Sequence, residues 1–157
     1  MTPSQEALLR RLIGLFTLIK QFEGCRLTPY LCPAGVWTCG WGSTGKDVFP
    51  GRAWTQEYAD QRMAMDALKF AVGTLKLCPN FDKSDAALCA ISDFSYNLGL
   101  GNLQASTLRK CILANDIKGA IEQLMRWVRG GGKVLNGLVT RRKAEGGMLL
   151  SAIGDFQ

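Results

Sequence analysis

A chain of 157 residues, 47% apolar and 20% charged, is long enough to bury a core and ordinary in composition for a globular protein. Its net charge of +6 favours an anionic partner, whether nucleic acid, membrane surface or bacterial wall polymer, without choosing among them. It has no histidine, which excludes Ser-His-Asp and Cys-His catalysis and most catalytic zinc sites, leaving neutral-pH acid–base work to a carboxyl, a thiol or a lysine.

Ser4 reads as a helix N-cap, with Gln5 and Glu6 in a first turn that suits the helix dipole. Leu8, Leu9, Leu12, Ile13, Phe16, Ile19 and Phe22 then recur at helical spacing, predicting one helix over 4–23 with a single apolar face. That face reads first as core. Arg10, Arg11 and Lys20 beside it leave open a helix lying on a membrane surface. The apolar run 12–19 falls well short of the ~20 residues a membrane span needs, and Met1–Glu6 is polar without a base. Neither a span nor a secretory leader is expected, and the cysteines are expected to be free thiols in a reducing cytoplasm.

Leu27–Ser43 is rich in Thr, Tyr, Val and Trp and broken by Pro and Gly, which predicts a small hairpin or three-stranded sheet. Residues 46–53 read as loop. Thr55 caps a long helix from Gln56 to about Leu77, stopped by Cys78-Pro79-Asn80. Further helices are expected over 86–96, ending in a turn at 97–101, then over 106–113, over 117–128 with Asp116 as N-cap, and over 136–152. Gly130-Gly131-Gly132 reads as a flexible break; no Gly-Lys-Ser/Thr follows it, so it is not a phosphate loop. Cys25, Cys32 and Cys39 have no zinc spacing, and Cys78, Cys89 and Cys111 fall in or beside apolar helical stretches as buried thiols. No metal ligands and no cofactor are indicated.

The chemistry concentrates at 22–45. Glu23 ends the first helix, where partial burial would disfavour its charged form. Cys32 and Thr38 flank the Pro33-Ala34-Gly35 turn, so a hairpin brings them together. Cys32 reads either as a structural thiol or as a reactive one that needs a nearby cation or helix end for activation. Thr38 is too weak a base to deprotonate water but can hold one through its hydroxyl.

Phe22-Glu23-Gly24, then Tyr30-Leu31-Cys32-Pro33-x-Gly35 and Thr38-x-Gly40-Trp41-Gly42, resembles the signature of the phage-type lysozymes, or endolysins. That family carries Glu, eight residues, Asp or sometimes Cys, five residues, then Thr, and Glu23, Cys32 and Thr38 keep that spacing. The likeness runs on through Phe94-x-Tyr96-Asn97-Leu98-Gly99, Ser106-Thr107-Leu108, Trp127 and Gly137-Leu138-Val139-x-Arg141-Arg142. Cys32 departs from the commoner Asp, and Ser43 stands where many relatives have His.

The resemblance implies an α+β, lysozyme-like fold: a small β lobe over about 24–54, and a helical lobe over about 55–157 that includes helix 4–23. The cleft between them is the active site. It implies a muramidase acting on bacterial peptidoglycan, made in the host bacterial cytoplasm and working on the wall after release. The chain is expected to be a monomer, with no nucleic-acid partner and no stable membrane insertion. By resemblance Glu23 is the general acid, Cys32 and Thr38 position the attacking water, and Asn97, Ser106 and Thr107 bind sugars. Arg141 and Arg142 support Glu23, a solvated basic face being the alternative. Trp37, Trp41 and Trp54 read as sugar-stacking rings or as core of the small lobe. A lytic transglycosylase using Glu23 alone and a cationic membrane-disrupting protein are the rival functions.

Overall fold

Two helices, not one, open the chain in this computed structural model, which describes residues 1–157. Helix α1 (Pro3–Arg11) is capped by Thr2, not Ser4: the Thr2 hydroxyl accepts from the Gln5 backbone and the Gln5 side chain reaches back to Thr2. This reciprocal pair satisfies two otherwise orphaned N–H groups, which a cap at Ser4 would not do. The expected continuous helix breaks at Leu12, and α2 (Ile13–Glu23) begins beyond it. The break lets Leu12 and Leu15 both enter the core while Gly14 lies against Cys89 and Met148, where a Cβ would sit 2.9 Å from the Met148 methyl.

Gly24 ends α2 with φ +66° and turns the chain into a three-stranded antiparallel sheet: β1 (Arg26–Leu31), β2 (Trp37–Gly40) and β3 (Ser43–Thr44). Tyr30 lies opposite Thr38 and Leu31 opposite Trp37. The turn between them is closed by Cys32 N–H to Val36 O at 3.0 Å and Gly35 N–H to Cys32 O at 2.8 Å. Cys39, Val48, Trp54 and Ala59 form a small core beneath the sheet, which settles Trp54 as packing.

Helix α3 (Gln56–Leu77), about 33 Å long at helical rise, joins the sheet to the rest. Thr55 caps it, as expected. Its first turn gives Ala59 to the sheet core, and its middle packs Met63, Ala67 and Ala71 against Leu12, Leu15, Ile19 and Leu88. A 3-10 turn over Pro79–Lys83 then leads into α4 (Asp85–Leu98), whose residues 87–95 are all buried. Around α4 stand α5 (Leu100–Ala105), α6 (Thr107–Leu113), α7 (Ile117–Leu124) and α8 (Asn136–Ser151). They share a second core built on Phe81, Phe94, Leu103, Leu108, Ile112, Leu124 and Leu149.

Three further expectations change. The turn expected at 97–101 is partly helical, since α5 starts at Leu100. Helix α7 stops at Leu124, four residues early. The triple glycine is not a loose break but the bend of a short hairpin, β4 (Arg129–Gly130) with β5 (Lys133–Val134). Gly131 and Gly132 supply the positive φ that the bend requires. No helix is long and apolar enough to cross a membrane.

Candidate active site

Glu23 is carried to the junction of sheet and helices by the C-terminus of α2, with its side chain 21% exposed. Arg141 of α8 reaches it from 118 positions away, Nη1 donating to Glu23 Oε1 at 2.6 Å. The same guanidinium grips Asp93 of α4 with two bonds of 2.8 Å, from Nε and from Nη2. Asp93 is fully buried and Arg141 almost so, which makes this fork a rigid brace between α4, α8 and the end of α2. The solvated basic face is therefore excluded for both arginines: Arg142 is completely buried, bonded through Nη2 to Glu145 Oε1 at 2.8 Å and to Asn97 Oδ1 at 2.9 Å.

The second oxygen of Glu23 faces Gly42. A Cβ at Gly42 would stand 2.9 Å from Oε2, and Gly42 has φ +85°, so both space and backbone call for glycine. Since a guanidinium only donates, Oε1 is committed as an acceptor to Arg141, and a proton on Glu23 belongs on Oε2.

The hairpin places Cys32 and Thr38 on the two sides of its turn, Cys32 half-exposed and Thr38 only 5% exposed. The backbones of Val36 and Ala34, and to a lesser degree the Thr38 hydroxyl, hold the Cys32 thiol below its ordinary pKa despite some burial. The Thr38 hydroxyl also donates to Val36 O at 3.0 Å. One proton cannot serve both, so the Thr38 hydroxyl either closes the turn or supports a Cys32 thiolate. Tyr30 lies directly across from Thr38. Burial raises its phenol pKa, the Arg26 guanidinium 4.0 Å over its ring opposes that, and the charges of Glu23 and Cys32 both add to the rise.

The remaining candidates divide. Asn97 borders two cavities of about 270 Å³ each. One is apolar, lined by Phe22, Glu23, Leu138 and Arg141; the other is polar, lined by Gly42, Ser43, Arg62, Asp66 and Lys69. Ser106 is 6% exposed and borders neither; its hydroxyl caps α6, accepting from Arg109 N–H at 3.0 Å and donating to Leu103 O at 2.7 Å. Thr107 is exposed as the first residue of α6 and borders neither cavity. Trp41 is tied down through Nε1 to Asp60 Oδ1 at 2.7 Å, and Tyr96 bonds back to Trp41 O at 2.7 Å. Ser43, standing where many relatives have His, donates to Asp66 Oδ2 at 2.7 Å and ties the sheet to α3. A further groove, about 550 Å³ between α7 and α8, is lined by a single carboxylate, Glu122, and by no cysteine. No cluster of three or more His, Cys, Asp or Glu side chains is arranged to hold a metal ion.

The family motif takes in Tyr30 and Gly42 without giving them a role, and it leaves out Asp93 and Glu145. A signal existed for Asp93, the one charge within the apolar run Ala86–Leu98. None existed for Glu145, which looks like any solvated helix carboxylate.

Residues 20–145 match the family described as phage lysozyme. The SAR-endolysin of Bacteriophage PS119 is 39% identical over 123 residues, covering 78% of this chain and 73% of that protein. The endolysin of Bacillus phage B103 is 36% identical over 136 residues, which is 85% of this chain but 51% of the relative, so this chain spans about half of its length. Among solved structures, the active form of the P1 phage endolysin Lyz superposes with a TM-score of 0.81 at 25% identity, over 95% of this chain and 93% of that one. A family match across most of the sequence, together with this architecture, shows that the chain belongs to the phage lysozyme family and is a glycoside hydrolase with the α+β, lysozyme-like fold.

Proposed function

We propose that this enzyme hydrolyses the β-1,4 bond between N-acetylmuramic acid and N-acetylglucosamine in bacterial peptidoglycan, with Glu23 as general acid and a water positioned by Cys32 and Thr38. The observation that carries this reading is the asymmetry of one carboxyl group: Arg141 holds Oε1, while Oε2 lies beside Gly42 with no hydrogen bond to the protein. Glu23 Oε2 gives its proton to the glycosidic oxygen as the bond to the anomeric carbon breaks, and the electron pair leaves with the departing sugar. A water on the opposite face adds its oxygen to the anomeric carbon. Its proton goes to the Cys32 thiolate, while the Thr38 hydroxyl, donating to Val36, accepts a hydrogen bond from the same water. The lowered Cys32 pKa supports an anionic acceptor there.

In the cell, the chain is made in the host cytoplasm as a monomer and acts on the wall after release, lysing the host; the endolysin names of its relatives support the action on the wall. Mass spectrometry of the products from purified peptidoglycan tests the reaction. Hydrolysis leaves reducing N-acetylmuramic acid ends, whereas a transglycosylase leaves anhydro ends lighter by one water. Anhydro products, or liposome leakage without glycan cleavage, would overturn the proposal.

A further inference from the structure

The buried face of α8 carries a charge pair that the proposed chemistry does not use. Arg142 and Glu145 are both fully closed off from solvent, yet Nε and Nη1 of Arg142 have no protein hydrogen-bond partner, and Glu145 meets the Asp93 carboxylate, to which it can bond only when protonated. Burial pushes the Glu145 carboxyl well above its ordinary pKa, so the site is costly for charge. Apolar residues of similar volume commonly hold such a position as well as or better than a buried ion pair does. Stability alone therefore does not account for the pair.

What the pair does accomplish is to orient Asn97. Nη2 of Arg142 serves both Glu145 Oε1 and Asn97 Oδ1, and a guanidinium has donors only. The Asn97 amide must turn its oxygen towards Arg142, which turns its NH2 group away. Nδ2 makes no hydrogen bond within the protein, and Asn97 stands where the apolar and polar cavities adjoin, beside Glu23. With a partner that could both donate and accept, the amide would be free to flip and would present an oxygen to the cleft half the time.

We propose that Arg142, held in place by Glu145, is a positioning residue that locks the Asn97 amide with its NH2 facing the cleft, so that the site selects a substrate with an acceptor oxygen next to the scissile bond. The carbonyl of an N-acetyl group is the acceptor that fits the substrate class proposed above, and the inference rests on that reading. A flipped amide would set two oxygens against each other and lose the contact.

Steady-state kinetics on soluble peptidoglycan oligosaccharides test the lock. Asn97→Ala is expected to raise KM about five- to tenfold, the loss of one hydrogen bond. Replacing both buried partners, Arg142→Met with Glu145→Met, removes the charges together. It should raise KM by a similar factor, with kcat and melting temperature near those of the parent. Adding Asn97→Ala to that pair should raise KM no further. Should the paired variant fail to fold, Arg142→Lys carries the test: it keeps a positive charge beside Glu145, but its shorter side chain puts no donor where Nη2 serves both Glu145 and Asn97, and the same rise in KM is expected. An unchanged KM in Asn97→Ala would bring down the Asn97 contact itself. A raised KM in Asn97→Ala with parental KM in the Arg142 variants would overturn the lock alone, as would effects that multiply in the triple variant.

Discussion

Gly42 approaches Glu23 so closely that a Cβ on it would lie 2.9 Å from Oε2, the carboxyl oxygen that Arg141 leaves free. The sheet therefore confines the Glu23 carboxyl as well as carrying Cys32 and Thr38. Gly42→Ala must either displace the Glu23 carboxyl or strain a backbone held at φ +85°. Wall-clearing activity is expected to fall by about 100-fold or more, since a small misplacement of a catalytic group can cost that much. Stability should fall by about 1–3 kcal/mol. Turbidity assays and urea unfolding read both. Parental activity in a folded Gly42→Ala protein would contradict the geometry.

Arg141 is predicted to be structural as well as functional. Removing it leaves Asp93 fully buried without either of its two hydrogen bonds. Arg141→Ala should lose about 3–5 kcal/mol, the cost of an uncompensated buried charge. Arg141→Lys cannot make the fork and should fall in between, with activity impaired because Glu23 Oε1 loses its fixed partner. Unfolding of both variants in urea is the check.

Arg11 makes a similar set of bonds with a different expected result. It reaches Asp82 at 2.7 Å and Asp85 at 2.6 Å, tying α1 to the start of α4, but both carboxylates are more than half exposed. Solvent screening reduces such pairs to little net stabilisation, so Arg11→Ala should cost no more than about 1 kcal/mol and leave activity unchanged. Chemical denaturation of this variant beside Arg141→Ala isolates the effect of burial.

Cys32 is predicted to alkylate ahead of Cys39, Cys78, Cys89 and Cys111. Its pKa is lowered, whereas burial raises those of Cys39, Cys89 and Cys111 and pushes Cys78 up to about 11. The thiolate is the reactive form, so at neutral pH a larger fraction of Cys32 is available than of those four. Iodoacetamide labelling followed by peptide mapping should show Cys32 modified ahead of them, with activity lost in step. Cys32→Asp should keep substantial activity and resist the reagent; Cys32→Ala should lose most activity. Inactivation that tracks another cysteine would count against this role.

Much of this arrangement could be read from residue order because it is local. The Glu23, Cys32 and Thr38 spacing lies within one helix end and one hairpin, and the caps at Thr55 and Asp116 are three-residue events. The helix break at Leu12 was not legible, because the apolar periodicity runs through it unbroken; only the packing of Gly14 against Cys89 and Met148 reveals it. Arg141 and Arg142 showed the same pattern as a solvated basic face. Their burial depends on Asp93 and Glu145, one 48 positions away and the other a turn along the same helix. Ser106 and Thr107 stand out by family likeness alone, and residue order does not show that the Ser106 hydroxyl caps α6. At Leu12 and at Arg141, long-range packing decided what the local pattern left open.

Attack by a water oriented at Cys32 and Thr38, on the sugar face opposite Glu23, is the step on which the proposed mechanism stands. Proton NMR of the first-formed anomer from a defined peptidoglycan oligosaccharide tests it most directly. A single displacement by water inverts the β-linkage and gives the α-anomer first, with the β-anomer growing only by mutarotation. If the β-anomer appears first, two displacements have occurred, Cys32 or another group has bonded to the sugar, and direct attack by water is contradicted.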